Sequence, residues 1–170
     1  VVECETEELL DLRRSVVEML FVEGNHFCMF CEKSGNCELQ ALAYRLGITG
    51  PRHPYLFPKR PVDMSHPEVW LDHNRCILCA RCVRASRDLD EKKLFGFSGR
   101  SKDKRVIAGA WRTLNEVPCS PRDKALAVCP VGALLRKRAG YTVPIGERLY
   151  DYEPIGTEIE LKRRMPTSQK

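Results

Sequence analysis

Asn74-Arg75-Cys76-Ile77-Leu78-Cys79-Ala80-Arg81-Cys82-Val83-Arg84 sets three cysteines at C-x2-C-x2-C, and a remote Cys-Pro pair follows at Cys129-Pro130. This is the ligand spacing of a bacterial-type iron–sulfur cluster. A chain holding two such clusters would carry C-x2-C-x2-C-x3-C-P twice, each fourth cysteine ligating the other cluster. Here the fourth position of the first run is Ser86, followed by Arg87 rather than proline. Counting back from Cys129, the second run keeps Cys119 but has Arg122 and Ala125 at the other ligand positions. The arithmetic predicts one cluster held by Cys76, Cys79, Cys82 and Cys129. It predicts that the second site of such a module has been lost.

A second group of ligands lies upstream, where His26, Cys28, Cys31 and Cys37 form H-x-C-x2-C-x5-C. Thiolate and imidazole suit both iron–sulfur clusters and zinc. By spacing alone this is equally a Cys3His zinc site, a common structural set built on C-x2-C pairs. The neighbouring run favours iron–sulfur, because two adjacent clusters make an electron path and a zinc site does not.

The chain has 170 residues, room for one ordinary domain or two small ones. Metal-bound modules need little apolar core, since ligand bonds supply much of their folding free energy. Nine cysteines would suggest disulfides in a short secreted chain, but here they fall at metal spacings. Val1-Val2-Glu3-Cys4 is not the start of a signal peptide. No stretch approaches the roughly 18 apolar residues of a membrane-spanning helix. A reducing cytoplasm is the expected compartment. The formal charge is +5, and the basic runs Arg136-Lys137-Arg138 and Lys162-Arg163-Arg164 carry no interleaved aromatics, so nucleic-acid binding is not expected.

The fold class read from this pattern is α+β: a small helical His/Cys3 module followed by a ferredoxin-like module with one cluster site lost. Residues 1–50 are expected to form the first module, 51–68 a Pro-rich linker, 69–140 the second module and 141–170 an extended arm lying on a partner. Thr6 is a plausible N-cap for a helix from Glu7 to Glu23, with Gly24 as a left-handed stop. Glu38 to Leu46 repeats the pattern and stops at Gly47. Pro51 to Pro67 holds five prolines and few helix formers. His53, His66 and His73 read as surface or capping residues. Cys79 to Leu89 reads as a helix, and Leu94–Phe97 with Arg105–Ala108 as a hairpin. Ser120-Pro121-Arg122-Asp123 resembles a capping box that starts a helix running to Val128. Val1 to Thr6 is strand-like, and Arg164 to Lys170 reads as disordered.

No catalytic motif is visible: there is no G-x-G-x-x-G, P-loop or G-x-S-x-G in the sequence. Electron carriage for active sites elsewhere is the expected role. Pro130 fixes φ beside a ligand, and Gly132 permits close approach of the backbone to a cluster. Cys4 and Cys119 are expected to ligate nothing.

Gly24-Asn25-His26-Phe27-Cys28-Met29-Phe30-Cys31-Glu32-Lys33-Ser34-Gly35-Asn36-Cys37-Glu38-Leu39-Gln40 resembles the His/Cys3 [4Fe–4S] segment shared by the large iron–sulfur subunit of respiratory complex I, iron-only hydrogenases and NAD-reducing hydrogenases. The run from Asn74 to Arg84, with Cys129-Pro130-Val131-Gly132-Ala133-Leu134, resembles their next cluster domain. Gly140-Tyr141-x-x-Pro144-Ile145-Gly146 points within this group to the small iron–sulfur (gamma, diaphorase) subunits of bacterial NAD-reducing [NiFe] hydrogenases. One departure is visible: His26 stands two residues nearer Cys28 than the H-x3-C of complex I. The resemblance implies two [4Fe–4S] clusters, the upstream one on His26, Cys28, Cys31 and Cys37. A [2Fe–2S] cluster is implied only if an upstream domain exists outside this sequence. Implied partners are a flavin/NAD-binding diaphorase subunit and the small subunit of a [NiFe] hydrogenase, the chain serving as a non-catalytic electron-transfer subunit. Alternatives are the equivalent segment of a complex I-type NADH dehydrogenase, or a zinc-stabilised scaffold without redox activity.

Overall fold

In the computed structural model, residues 2–110 and 112–159 are described. Helix α1 spans Glu7–Val22, and Thr6 caps it by accepting a hydrogen bond from Leu9 N through its side chain. Glu7 and Glu8 sit in its first turn, where carboxylates favour the positive end of the helix dipole. Gly24 does not supply a left-handed stop, because it has no positive φ. Its role is spatial: a Cβ there would lie 2.6 Å from His26 Nε2 and 2.7 Å from the Asn74 carbonyl. Helix α2, Glu38–Arg45, begins immediately after Cys37 and ends before Gly47, which does take a left-handed φ of +68°. The two helices pack on each other through Val17, Leu39 and Ala43.

The stretch expected to be a plain linker is fastened at both ends. Arg52 reaches back to α1, its Nε 3.0 Å from both carboxylate oxygens of the buried Glu18. At the far end strand β1, Val62–Asp63, pairs antiparallel with β2, Val69–Asp72. Strand β5, Leu134–Arg136, closes the other side of β2, so the order is β1-β2-β5. The central strand is buried on both faces, and Val69 has no exposed surface. His66 caps the entry to it, its Nδ1 accepting from Glu68 N and Val69 N, while His53 stays exposed and His73 is buried.

Helix α3, Arg81–Asp88, starts two residues later than Cys79, because Leu78 and Ala80 both adopt left-handed φ values of 56° and 62°. Strands β3, Phe95–Ser98, and β4, Arg105–Ala108, form the expected hairpin. Helix α4 is confined to Lys124–Ala127. Only half of the expected capping box is present, Ser120 N donating to Asp123 Oδ2; Ser120 Oγ accepts from Arg122 N and the Asp123 amide donates to the Ser120 carbonyl, so these bonds close a turn and the helix begins after Asp123.

Where a second cluster would sit, α3 and α4 instead pack directly. Ser86 and Ala125 have no exposed surface, and Leu94, Leu114, Leu126 and Cys119 join them in one core that continues into α1 and α2. Ser86 Oγ accepts the Leu94 amide at 2.8 Å, so the hydroxyl is occupied by the entry to β3.

The C-terminal arm folds back onto its own chain. Short helix α5, Leu149–Tyr152, brings Leu149 N to Asn36 Oδ1 at 2.8 Å and Tyr150 N to the Gly35 carbonyl at 3.0 Å. The arm, expected to be extended and to lie on a partner, thus includes a helical turn fastened to its own chain, where polar groups of the Cys31–Cys37 loop satisfy these two amides. Val2 to Thr6 forms no strand. The stretch from Arg164 to Lys170, expected to be disordered, lies outside the described residues.

Replacing Ser86 with alanine strands the buried Leu94 amide, which is expected to cost about 1–3 kcal/mol of stability. Chemical denaturation of holoprotein should show this loss with the visible spectrum unchanged; an unaltered midpoint would show that the amide finds another acceptor.

Candidate metal centres

The upstream site is built by the exit of α1, a 3-10 turn at Cys28–Phe30 and the start of α2. His26, Cys28, Cys31 and Cys37 line one hollow, together with Phe21 and Gly132. The His26 ring stands edge-on to Phe21 at 5.4 Å between centroids. Burial, reinforced by the charge of Arg75, lowers its pKa to about 4, so the imidazole is neutral near pH 7, as metal ligation requires. Cys37 is the N-cap residue of α2; burial pushes its thiol up to about 11, against the lowering influence of the Gln40 and Leu39 amides. Burial, then proximity to Cys31, also raises Cys28.

The candidate downstream set takes Cys76 and Cys79 from the loop before α3, Cys82 from the first turn of that helix and Cys129 from the turn after α4. Burial pushes Cys82 up to about 12, and the nearby Cys129, Cys76 and Cys79 sulfurs add to it. Cys76 is raised first by burial, with Cys129 and Cys79 contributing. Buried thiols resist ionisation, so loading either site would release the thiol protons to solvent while iron cations compensate the thiolate charge. The left-handed Leu78 and Ala80 turn the loop between the ligands, and the Leu78 amide lowers the Cys76 pKa.

All nine cysteines are free of disulfides. Cys119 is buried, with Asp123, Lys92 and Asp90 as its electrostatic neighbours and no cluster cysteine among them. Cys4 is exposed. Among the described residues no three His, Cys, Asp or Glu side chains converge as a single metal ion needs. A polynuclear cluster asks for a wider ring, one soft donor at each metal corner. The residues fit such a group: three thiols and a neutral imidazole line one hollow, and the downstream set offers four thiols, with Cys129 and Cys79 near enough to bear on the Cys76 and Cys82 thiols.

The two sites share a seam that spacing did not reveal. A Cβ on Gly132, in the Cys129-Pro130 turn, would fall 2.5 Å from Cys31 Sγ. The close approach made possible by Gly132 is therefore to a cysteine of the other site. Asn25 N donates to the Asn74 carbonyl at 2.8 Å, and Asn25 Nδ2 to Asn74 Oδ1 at 2.7 Å. Glu38 N donates to the Pro130 carbonyl at 2.9 Å, while its carboxylate receives both arms of Arg81. Arg75, which also reaches Cys31, was not singled out in the sequence, where an arginine next to a cysteine follows no ligand spacing.

Two cysteine-lined sites on an α+β frame define an iron–sulfur protein. Residues 13–52 match the NADH-ubiquinone oxidoreductase-G iron–sulfur binding region, and residues 66–135 match the ferredoxin-like domain of NADH-quinone oxidoreductase subunit 3. The NAD-reducing hydrogenase HoxS subunit gamma of Cupriavidus necator is 44% identical over 155 residues, covering 91% of this chain and 66% of that protein. The mitochondrial NADH-ubiquinone oxidoreductase 78 kDa subunit of Candida albicans is 33% identical over 139 residues, or 81% of this chain and 19% of that subunit. A chain in the crystal structure of an NAD+-reducing [NiFe]-hydrogenase in the H2-reduced state superposes with a TM-score of 0.84 at 48% identity, covering 88% of this chain and 64% of that one. The chain belongs to this family of iron–sulfur subunits, and spans about two thirds of the hydrogenase relatives it matches. No helix among the described residues is long and apolar enough to cross a membrane.

Cys119→Ser is expected to leave the iron content unchanged, whereas Cys129→Ser should remove or destabilise the downstream cluster. Equal iron loss in the two variants would make Cys119 the fourth ligand.

Proposed function

We propose that this chain relays electrons through two [4Fe–4S] clusters, between a flavin- and NAD(H)-binding diaphorase subunit and the small subunit of a [NiFe] hydrogenase, in the cytoplasm. The proposed ligands are His26, Cys28, Cys31 and Cys37 upstream, and Cys76, Cys79, Cys82 and Cys129 downstream. The observation that carries the reading is the seam: Gly132, three residues after Cys129, lies against Cys31 Sγ. Two independent structural metal sites would not need a ligand of one packed on the backbone turn of the other. A relay does, because electron transfer weakens steeply with separation.

When bound, each cluster takes up and gives back one electron. The chain's own contribution is to hold the donors rigidly and keep water from them. Cys31, Cys37 and Cys129 are buried, and Pro130 and the left-handed loop restrict backbone movement. A neutral imidazole in place of one thiolate removes a negative charge, so the upstream cluster should have a higher potential than an all-cysteine equivalent. The proposed hydrogenase assignment draws on the higher identity and coverage of the HoxS gamma relative compared with the complex I relative. The filled space around Ser86 and Ala125 supports a count of two clusters rather than three.

Metal analysis of anaerobically purified protein should give about eight irons per chain, with broad visible absorbance from sulfur-to-iron charge transfer. About four or twelve irons, or colourless zinc protein, would contradict this reading. In redox-titrated EPR, His26→Cys should keep its iron and lower the upstream potential, while His26→Ala should give a labile cluster. An unchanged potential and signal in His26→Cys would show that His26 is not a ligand.

A further inference from the structure

Arg75 stands between the two cysteine sites. Its backbone runs straight into Cys76, while its Nη1 lies 3.6 Å from Cys31 Sγ and 3.2 Å from Glu32 Oε2, a hydrogen bond to each. On its other edge Nε is 3.2 Å from Asp72 Oδ2, and the guanidinium carbon lies 5.4 Å from the centroid of the Trp70 ring. Only 11% of the side chain is exposed.

Burying a guanidinium costs several kcal/mol before its partners compensate. If Arg75 served only to pair with Asp72, its Nε would be expected to donate to that carboxylate. Instead Nε is buried without a hydrogen bond, although the ion pair is close. The orientation favours Nη1, which is turned to the sulfur and to Glu32. Gly132 frames the same spot, since a Cβ there would lie 3.4 Å from Nη1 as well as against Cys31 Sγ. A larger residue at 132 would therefore displace both members of the contact.

We propose that Arg75 sets the potential of the upstream cluster through its N–H···S hydrogen bond to Cys31. This rests on the ligand set of the proposed function. Reduction adds one electron, hence one negative charge, to a cluster. A fixed cation and a donor on a ligand sulfur stabilise that added charge and raise the potential. Glu32 opposes the long-range field of the guanidinium but leaves the directed hydrogen bond in place. Arg75 itself is neither oxidised nor reduced: the electron lost by one cluster is gained by the other. Because its main chain continues into Cys76, the same residue gives a bonded route from the sulfur of one site to a ligand of the other. Arg75 is thus a positioning and tuning residue, distinct from the ligands.

The test is redox-titrated EPR with iron analysis on the full-length holoprotein, comparing wild type with Arg75→Met, Arg75→Gln and Arg75→Lys. Arg75→Met should retain its iron and lower the upstream potential by the equivalent of about a tenfold change in the reduced-to-oxidised ratio, about 59 mV for one electron. The downstream potential should move less, and Arg75→Lys, which keeps the charge, should recover part of the shift. If Arg75→Met loses iron, Arg75→Gln takes its place and the same downward shift is expected. An upstream potential equal to wild type in whichever variant keeps its iron overturns the proposal. Loss of the cluster in both uncharged variants overturns it too, by assigning Arg75 a purely structural role. Wild-type protein without an upstream signal overturns the two-cluster reading itself, and with it this one; a normal wild-type signal with an unmoved variant potential overturns only the tuning role.

Discussion

The sulfur of Cys31 occupies the place where a side chain on residue 132 would be, and much of the chain is arranged around that contact. It joins a loop near the N-terminus to a turn roughly a hundred residues later, so it cannot form by local folding. Its neighbours secure it from several directions. Asn25 and Asn74 bond through main chain and side chain, Glu38 binds the Pro130 carbonyl and Arg81 clasps the Glu38 carboxylate. Each is modest alone, and surface ion pairs contribute little. Together they fix the register of two cysteine loops that otherwise have few regular hydrogen bonds of their own.

The same economy explains the rest of the second module. A two-cluster ferredoxin pattern keeps space between its helices for a second cluster, whereas here α3 and α4 meet through Ser86 and Ala125. Removing ligands from such a site without refilling it would leave a cavity and unpaired polar groups, each costing stability. The chain does both repairs: apolar residues fill the volume, and the one hydroxyl introduced is matched with the Leu94 amide. Cys119 survives there as a small buried side chain among Asp123, Lys92 and Asp90.

The cysteine spacings disclosed the class of site, because ligand geometry tolerates few alternatives. Helix α1 was legible from its Thr6 cap, and the β3–β4 hairpin forms from the two short runs in which it was expected. The sheet β1-β2-β5 was not legible: strands of two to four residues show no periodicity, and β5 pairs with β2 from more than sixty residues away. Helix α4 came out shorter than its start signal suggested, since the Ser120–Asp123 bonds stabilise a turn as readily as a helix start. Gly24 carried a stop signal but serves close packing instead. Arg75 was invisible as a functional residue because an arginine beside a cysteine has no spacing rule. Its meaning comes from Cys31, forty-four positions earlier in the chain.

Two clusters held against each other by this seam are what the proposed relay requires. X-ray diffraction at the iron absorption edge from crystals of anaerobic holoprotein tests that directly. Two anomalous peaks are predicted, one enclosed by His26, Cys28, Cys31 and Cys37 and the other by Cys76, Cys79, Cys82 and Cys129, with the Arg75 guanidinium and Gly132 lying between them. A single iron peak, a third peak beside Cys119, or peaks that appear at the zinc edge but not the iron edge would contradict it.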